Sequence, residues 1–223
     1  MGLLIMDKKD KLDLKAQSLI REVRSKVSEL DENGKNLIFK GARTFNGWNE
    51  NPVSDDQLHE IYDLMKLCPT SANVCPIRIK FLRSTRAKET LKPILFEPNQ
   101  AKTMAAPVVA VLGNDHAFFE HNSFFAPHRP QAIANRMENN PELVAPWANM
   151  NGTLQAAYFI LAVRAVGLDA GPMQGLDKVA ADEAFWLGTE VKTNFICSVG
   201  YGDETTVFKK LPRFEFDQVC EIL

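Results

Sequence analysis

The sequence predicts an α+β fold. Helix-like and strand-like periodicities both occur, but without the regular strand–helix–strand rhythm of a doubly wound sheet. Two runs, "APVVAVLG" at 106–113 and "NFICSVGYGD" at 194–203, have the near-continuous apolar character of strands buried on both faces. One stretch, "NMNGTLQAAYFILAVRAVGLDAG" at 149–171, is apolar almost all round after Leu154, which predicts a central, buried helix.

The elements follow in order. Residues 9–33 read as one long helix, with Leu12, Leu19, Val23, Val27 and Leu30 forming an apolar stripe between charges. "ENGKN" breaks it, with Gly34 as the C-cap. The stripe predicts packing on a partner or across the core. Residues 1–35 are therefore read as a helical arm and 36–223 as the main domain. A second helix starts at "SDDQLHEIYDLM", where Ser54 and Gln57 form a capping box and Asp55 and Asp56 suit the positive end of the helix dipole. Leu58, Ile61, Tyr62 and Met65 make its buried face. "IRIKFLR" at 77–83 alternates as a half-buried strand. Residues 115–148, rich in His, Phe, Asn and Pro, read as an irregular excursion over the surface. Gly167 ends the helix that follows.

Composition removes several functions. Over 223 residues, 26 Lys and Arg stand against 28 Asp and Glu, so there is no basic footprint for nucleic acid or an anionic membrane. No apolar run approaches the roughly 20 residues that a membrane span needs. The start, "MGLLIMDKKDK", places its apolar patch before its charges, the reverse of a signal peptide, and Met6 stands where myristoylation expects Ser or Thr. The four cysteines (Cys68, Cys75, Cys197 and Cys220) form no CxxC pair and have no His at ligand spacing. That predicts a reduced, cytoplasmic protein with no metal site. There is no Rossmann fingerprint, P-loop, HExxH or G-x-S-x-G.

What remains is a set of short polar segments at the ends of regular elements. They are "ARTFNGW" (42–48), "PTSANVCP" (69–76), "NQAK" (99–102) and "GPMQG" (171–175), with "KKLPR" (209–213) near the C-terminus. Arg43, Lys102 and Arg213 can neutralise an anion, with Thr44 as a hydroxyl donor. The glycines of "GPMQG" let backbone amides approach a flat ligand. These ingredients suit a planar, phosphate-bearing cofactor. Taken singly, "RT" also reads as a helix cap and "NQAK" as a solvated turn.

In order and spacing, "ARTFNGWNENPVSDDQL", "PTSANVCP", "NQAK", "GLDAGPMQGLD" and "GYGD…LPR" resemble the FMN-dependent nitroreductase family over about residues 40–223. The cues "LMKLCPTSAN" and "KTMAAPV" are most similar to the branch that includes malonic semialdehyde reductase. The resemblance implies a nitroreductase-like fold, with a central, mostly antiparallel sheet flanked by helices. It also implies an intertwined homodimer with FMN at the subunit interface and NADH or NADPH as co-substrate. Carried over by position, Arg43, Thr44 and Arg213 fall at phosphate and ribityl contacts, and Asn99 and Lys102 at the flavin edge. Thr70, Ser71 and Asn73 match a turn that reaches the flavin of the other subunit. Pro172, Gln174 and Gly175 match the turn that faces flavin N5. Two residues depart from the pattern. Asn46 stands where many members have a basic residue, so it can bond the flavin's pyrimidine edge without adding charge. Leu211 replaces another basic residue.

The implied activity is hydride transfer from NAD(P)H through the flavin to a small acceptor, malonic semialdehyde being the one this branch indicates. A broad nitro- or quinone-reductase and a non-catalytic flavin-binding module stand as alternatives. "FFAPHRP" in the excursion puts forward Arg129 and His128 as substrate contacts. No residue stands out as the proton donor.

Overall fold

The computed structural model of the chain describes residues 11–223. The described residues up to Gly41 form one compact unit and residues 42–223 another. In the first unit, α1 (Lys11–Lys26) is shorter than the helix expected over 9–33, whose first two residues lie outside the described residues. Its stripe is left open: Leu19, Val23, Val27 and Leu30 are 44–58% exposed. Gly34 is not a C-cap. The Asp31 carboxylate accepts the Gly34 N–H at 2.7 Å and starts a new helix, α2 (Glu32–Lys35), which runs on into a π-turn at Asn36–Lys40. The aspartate ahead of Gly34 restarts a helix before the glycine can end one.

The second unit opens with α3 (Asp55–Met65). Its capping box forms as read, with Gln57 N–H donating to Ser54 Oγ at 3.1 Å and Ser54 N–H to Gln57 Oε1 at 3.0 Å. Ile61 and Met65 are buried and Leu58 half-buried, but Tyr62 faces outward, with Lys66 Nζ over its ring. The chain continues through β1 (Ile77–Leu82), α4 (Thr85–Leu91), α5 (Glu97–Ala105) and β2 (Val108–Asp115). Next come α6 (Asn122–Phe125), α7 (Ala132–Asn139) and α8 (Val144–Ala165). The excursion expected over 115–148 is therefore largely helical, and α8 begins five residues earlier than read. After α8 come β3 (Asp169–Met173), α9 (Lys178–Phe185), β4 (Val191–Gly200) and α10 (Phe216–Val219). Helices α4 and α9 are short and owe their starts to Ser84 and Asp177, whose side chains accept the first free N–H groups.

The four described strands form one sheet in the order β1-β2-β4-β3, antiparallel at every pairing. β3 is an edge strand, which is why it tolerates Pro172. "GPMQG" was expected to be a turn, yet its first three residues are strand. The sheet is buried on both faces, as its apolar runs predict. Val108, Ala110 and Leu112 join α3 and α8 in one core with Phe159 and Val163, while Val109 and Val111 join Leu91, Ile94 and Trp186 in the other. Gly167 ends α8 with φ 77°, as read. The helix is not buried all round, however: Met150, Leu154 and Tyr158 stay 40–51% exposed along one side. No helix among the described residues is long and apolar enough to cross a membrane.

Cys197 on β4 is fully buried, and burial pushes its thiol up to about 12, against a lowering by the Gly171 hydrogen bond and by Arg164. In the unfolded chain the thiol ionises near its ordinary value of 9.0. Folding thus keeps it neutral, and its contribution to stability is intact below that value and lost as pH rises from there towards about 12. Wild type should exceed Cys197→Ala in unfolding free energy at neutral pH, and that gap should narrow across the window. Denaturant titrations at a series of pH values that kept the gap constant would contradict this.

Candidate functional site

The polar segments fall into two groups. The first is a corner at the end of β3. Met173 is followed by Gln174 and Gly175, which turn against the start of α5. Phe96 N–H and Asn99 Nδ2 both donate to Gly175 O at 3.0 Å. Lys102 lies three residues after Asn99, on the same side of the helix. Its Nζ donates to Asn46 Oδ1 at 3.2 Å, and its carbonyl accepts Trp48 Nε1–H at 3.0 Å. The segment carrying Asn46 runs beside the sheet. Thr44 forms a parallel bridge with Ala170, and Phe45 N–H donates to Ala170 O at 3.3 Å. Trp48 then bridges Gly202, and Asn49 N–H donates to Tyr201 O at 2.8 Å.

Eight of the sequence-predicted residues therefore share this corner: Arg43, Thr44, Asn46, Asn99, Lys102, Pro172, Gln174 and Gly175. Thr44 and Gln174 are exposed, and the other six are half-buried. The Arg43 guanidinium donates to the carbonyl of Phe208 and so ties the C-terminal stretch to the corner. Arg213 is not brought in. It is exposed, and its Nη1 donates to the carbonyls of Leu211 and Pro212 at 3.2 and 2.9 Å.

The second group is the turn at 69–76. Ser71–Asn73 forms a 3₁₀ turn in which Ala72 and Asn73 have φ of 51° and 58°. Asn73 Nδ2 donates to Phe125 O at 3.0 Å, and Thr70 Oγ1 accepts Cys75 N–H at 3.3 Å. Ser71 N–H donates to Asn151 Oδ1 at 2.7 Å. The turn is thus anchored to α8 and to the end of α6, and the corner to α5 and β3. His128 and Arg129 join neither group. Both are exposed, and Arg129 Nε lies 3.2 Å from His128 Nε2.

Asn151 and Trp48 are the residues the sequence reading missed. Asn151 did leave a signal, because it and Gln155 are polar residues four apart, on one face of a mostly apolar helix. Both are buried, and Gln155 Oε1 accepts Ile77 N–H at 3.0 Å. At the start of β3, burial holds the Asp169 carboxyl above the usual carboxylate range, opposed by the Gly202 N–H bond of 2.9 Å and by Arg164.

Chemically, the corner presents two cations and three side-chain amides around a glycine whose missing side chain lets Asn99 close in. That donor set fits a planar ligand with hydrogen-bonding edges and an anionic tail. Among the described residues, no cluster of His, Cys, Asp or Glu could hold a metal ion.

Known proteins resemble this chain over most of its length. The model of the nitroreductase family matches residues 41–201. A Cupriavidus pinatubonensis protein named for NADH dehydrogenase/NAD(P)H nitroreductase activity is 46% identical over 186 residues, covering 83% of this chain and 95% of that one. A similarly named Burkholderia lata protein is 45% identical over 196 residues, covering 88% and 100%. Among solved structures, an Exiguobacterium sibiricum nitroreductase in complex with FMN superposes with a TM-score of 0.75. It is 19% identical, with 87% of this chain and 99% of that one covered. A Staphylococcus epidermidis NAD(P)H:FMN oxidoreductase gives a TM-score of 0.73 at 18% identity, covering 88% and 99%. At these identities the two structures speak for the fold alone.

One very close approach in the corner is at Gly175, where an added Cβ would run into Asn99 Nδ2. Gly175→Ala should push that amide off the Gly175 carbonyl and destabilise the protein. With Asn99→Ala already in place the clash is gone, so the double variant should lose less than the two single losses added together. Denaturant unfolding should give a coupling of about 0.5–3 kcal/mol between the sites. Simple additivity would show that the contact is not shared.

Proposed function

The chain belongs to the nitroreductase family, and on that premise we propose that it is an FMN-dependent oxidoreductase using NADH or NADPH. The observation that carries this is the convergence of residues 43–46, 99–102 and 172–175 on one corner, through the Lys102–Asn46 and Asn99–Gly175 bonds. The relatives named for NAD(P)H nitroreductase activity and the fold shared with an FMN complex support it.

In this reading Arg43 and Thr44 hold the phosphate and ribityl chain, and Arg213, which this chain does not bring to the corner, is left out of the site. Asn46, Asn99 and Lys102 bond the ring edge, and Pro172, Gln174 and Gly175 lie along the ring. Thr70, Ser71 and Asn73 come from a second copy of the chain. The dimer this requires is supported by the exposed apolar positions on α8, Met150, Leu154 and Tyr158, and by exposed Leu64 and Leu67, at the end of α3 and just after it, α3 being the helix that packs against α8. Bound FMN supplies hydride transfer from the nicotinamide to the acceptor. The chain binds and orients it, and Lys102 provides positive charge for the electron density that reduction places on the ring edge. All four cysteines are free thiols, which suits a reducing cytoplasm.

For the acceptor, the finer reading is a small carboxylated aldehyde such as malonic semialdehyde, reduced to 3-hydroxypropionate, with Arg129 and His128 as contacts for its carboxylate. The names of the relatives favour a second reading, a broad nitro- or quinone-reductase. Turnover of the FMN-loaded protein with semialdehydes, nitroaromatics and quinones separates them. Under the first reading, Arg129→Ala raises KM for the carboxylated aldehyde and leaves quinone reduction alone. Equal effects on both acceptors would remove Arg129 from the site.

Lys102→Met keeps length and removes charge. It should lower the flavin midpoint potential and slow reduction by NAD(P)H, with FMN still bound. A redox titration and stopped-flow trace indistinguishable from wild type would make Lys102 a bystander.

A further inference from the structure

The turn at 70–75 holds three non-glycine residues in left-handed backbone: Ala72, Asn73 and Cys75, with φ of 51°, 58° and 41°. Such conformations are sparsely populated for residues with a Cβ and persist where surrounding bonds over-determine them. Besides the bond from Asn73 Nδ2 to Phe125 O, two bonds come from outside the turn, one at each end. At the start, Asn151 is completely buried on α8. Its Nδ2 donates to Trp147 O at 2.9 Å, which aims its Oδ1 at Ser71 N–H, 2.7 Å away. At the end, Arg78 Nη1 donates to Cys75 O at 3.3 Å and to Ile77 O at 2.9 Å. Arg78 Nη2 is held in turn by Asp115 Oδ2 at 2.5 Å, and Asp115 Oδ1 accepts Ala117 N–H at 2.8 Å. Each anchor is thus itself fixed by a second bond, one to a helix carbonyl and one to a largely buried carboxylate.

We propose that Asn151 and Arg78 are positioning residues that clamp the two ends of this turn. They hold Thr70, Ser71 and Asn73 in the one backbone arrangement that presents their polar groups to the flavin of a second subunit. The inference rests on the flavin reading above and adds the residues that shape its cross-subunit contact. Neither side chain needs to touch the flavin. Without the anchors the strained backbone relaxes, and the three groups lose their common orientation.

The test uses the full-length, FMN-loaded protein, with hydrogen exchange at the Ser71 amide and the FMN dissociation constant as readouts. Asn151→Ala should speed exchange at Ser71 and weaken FMN binding, each by on the order of tenfold, the loss of about one hydrogen bond. The flavin's visible circular dichroism should change as well. Asn151→Asp should recover FMN affinity at low pH, where a protonated carboxyl offers the same donor and acceptor, and lose it as the group ionises. Arg78→Met, on a different element, should reproduce the loosened turn without touching α8. Asn149→Ala serves as the control. It lies on the same helix as Asn151, loses the 3.1 Å bond accepted from Asn114 Nδ2 on β2, and should leave FMN affinity unchanged. If wild type binds no FMN, the flavin reading falls and this inference falls with it. If wild type binds FMN and both clamp variants match it in exchange and affinity, the inference alone is overturned.

Discussion

The close approach of one backbone segment to the sheet edge governs the rest of this structure. Phe45 and Trp48 lie against β3 and the end of β4, which is possible only because the edge lacks side chains where they pass. A Cβ on Gly171 would come within 2.8 Å of the Phe45 carbonyl, and one on Gly202 would overlap the Phe45 ring. With those positions empty, Phe45 N–H reaches Ala170 O and Trp48 reaches the Lys102 carbonyl. The edge strand thereby gains a partner on its open side, and an open edge is a hazard in an antiparallel sheet. The same contact brings Asn46 to Lys102 on α5, more than fifty residues distant in the chain. Packing and site are therefore one arrangement, so a substitution that fills the edge would disturb both.

The two polar groups are built by opposite means. The corner uses relaxed backbone and small residues, and its side-chain bonds are spread over three segments. The turn at 70–75 uses strained backbone held by a few specific bonds. Under the proposal of a site made from two chains, that division is reasonable. A corner that carries most of the donor set can be stable within one subunit. A loop that crosses an interface must keep its shape before the partner arrives, or ordering it would subtract from binding. Asn151 serves that purpose from the buried face of α8, where an unpaired amide would be costly and a paired one is rigid.

The parts legible in the sequence are those governed by local chemistry. The Ser54–Gln57 capping box, the Gly167 stop and the strands at 77, 106 and 194 follow from nearest neighbours and period. The segments that converge on the corner were legible through their order, although nothing local says that residue 46 meets residue 102. The failures have physical causes. "DAGPM" has turn composition, but an edge strand beside a close-packed segment wants glycine and accepts proline. Gly34 resembles a helix stop until Asp31 is seen to cap a new start. Residues 115–148 lack long periodicity because their helices are too short to show it. Tyr62 and Tyr158 read as core because apolar periodicity cannot tell a face that meets the core from one that stays open.

That last confusion has a physical resolution. Within the chain, α8 buries Gly152, Ala156, Phe159 and Val163 on the sheet side, a stripe sufficient to dock it. The additional apolar residues on its other side add nothing to that docking, and exposing them to water is unfavourable at about 25 cal/mol per Å². They contribute to stability only if they are covered. The polar turn at 70–75 is anchored to this same helix through Asn151, so whatever covers the open side of α8 meets a surface to which the turn is rigidly attached. A second copy of the chain would cover apolar surface and engage the turn in a single step. Association and completion of the site would then be driven by the same burial.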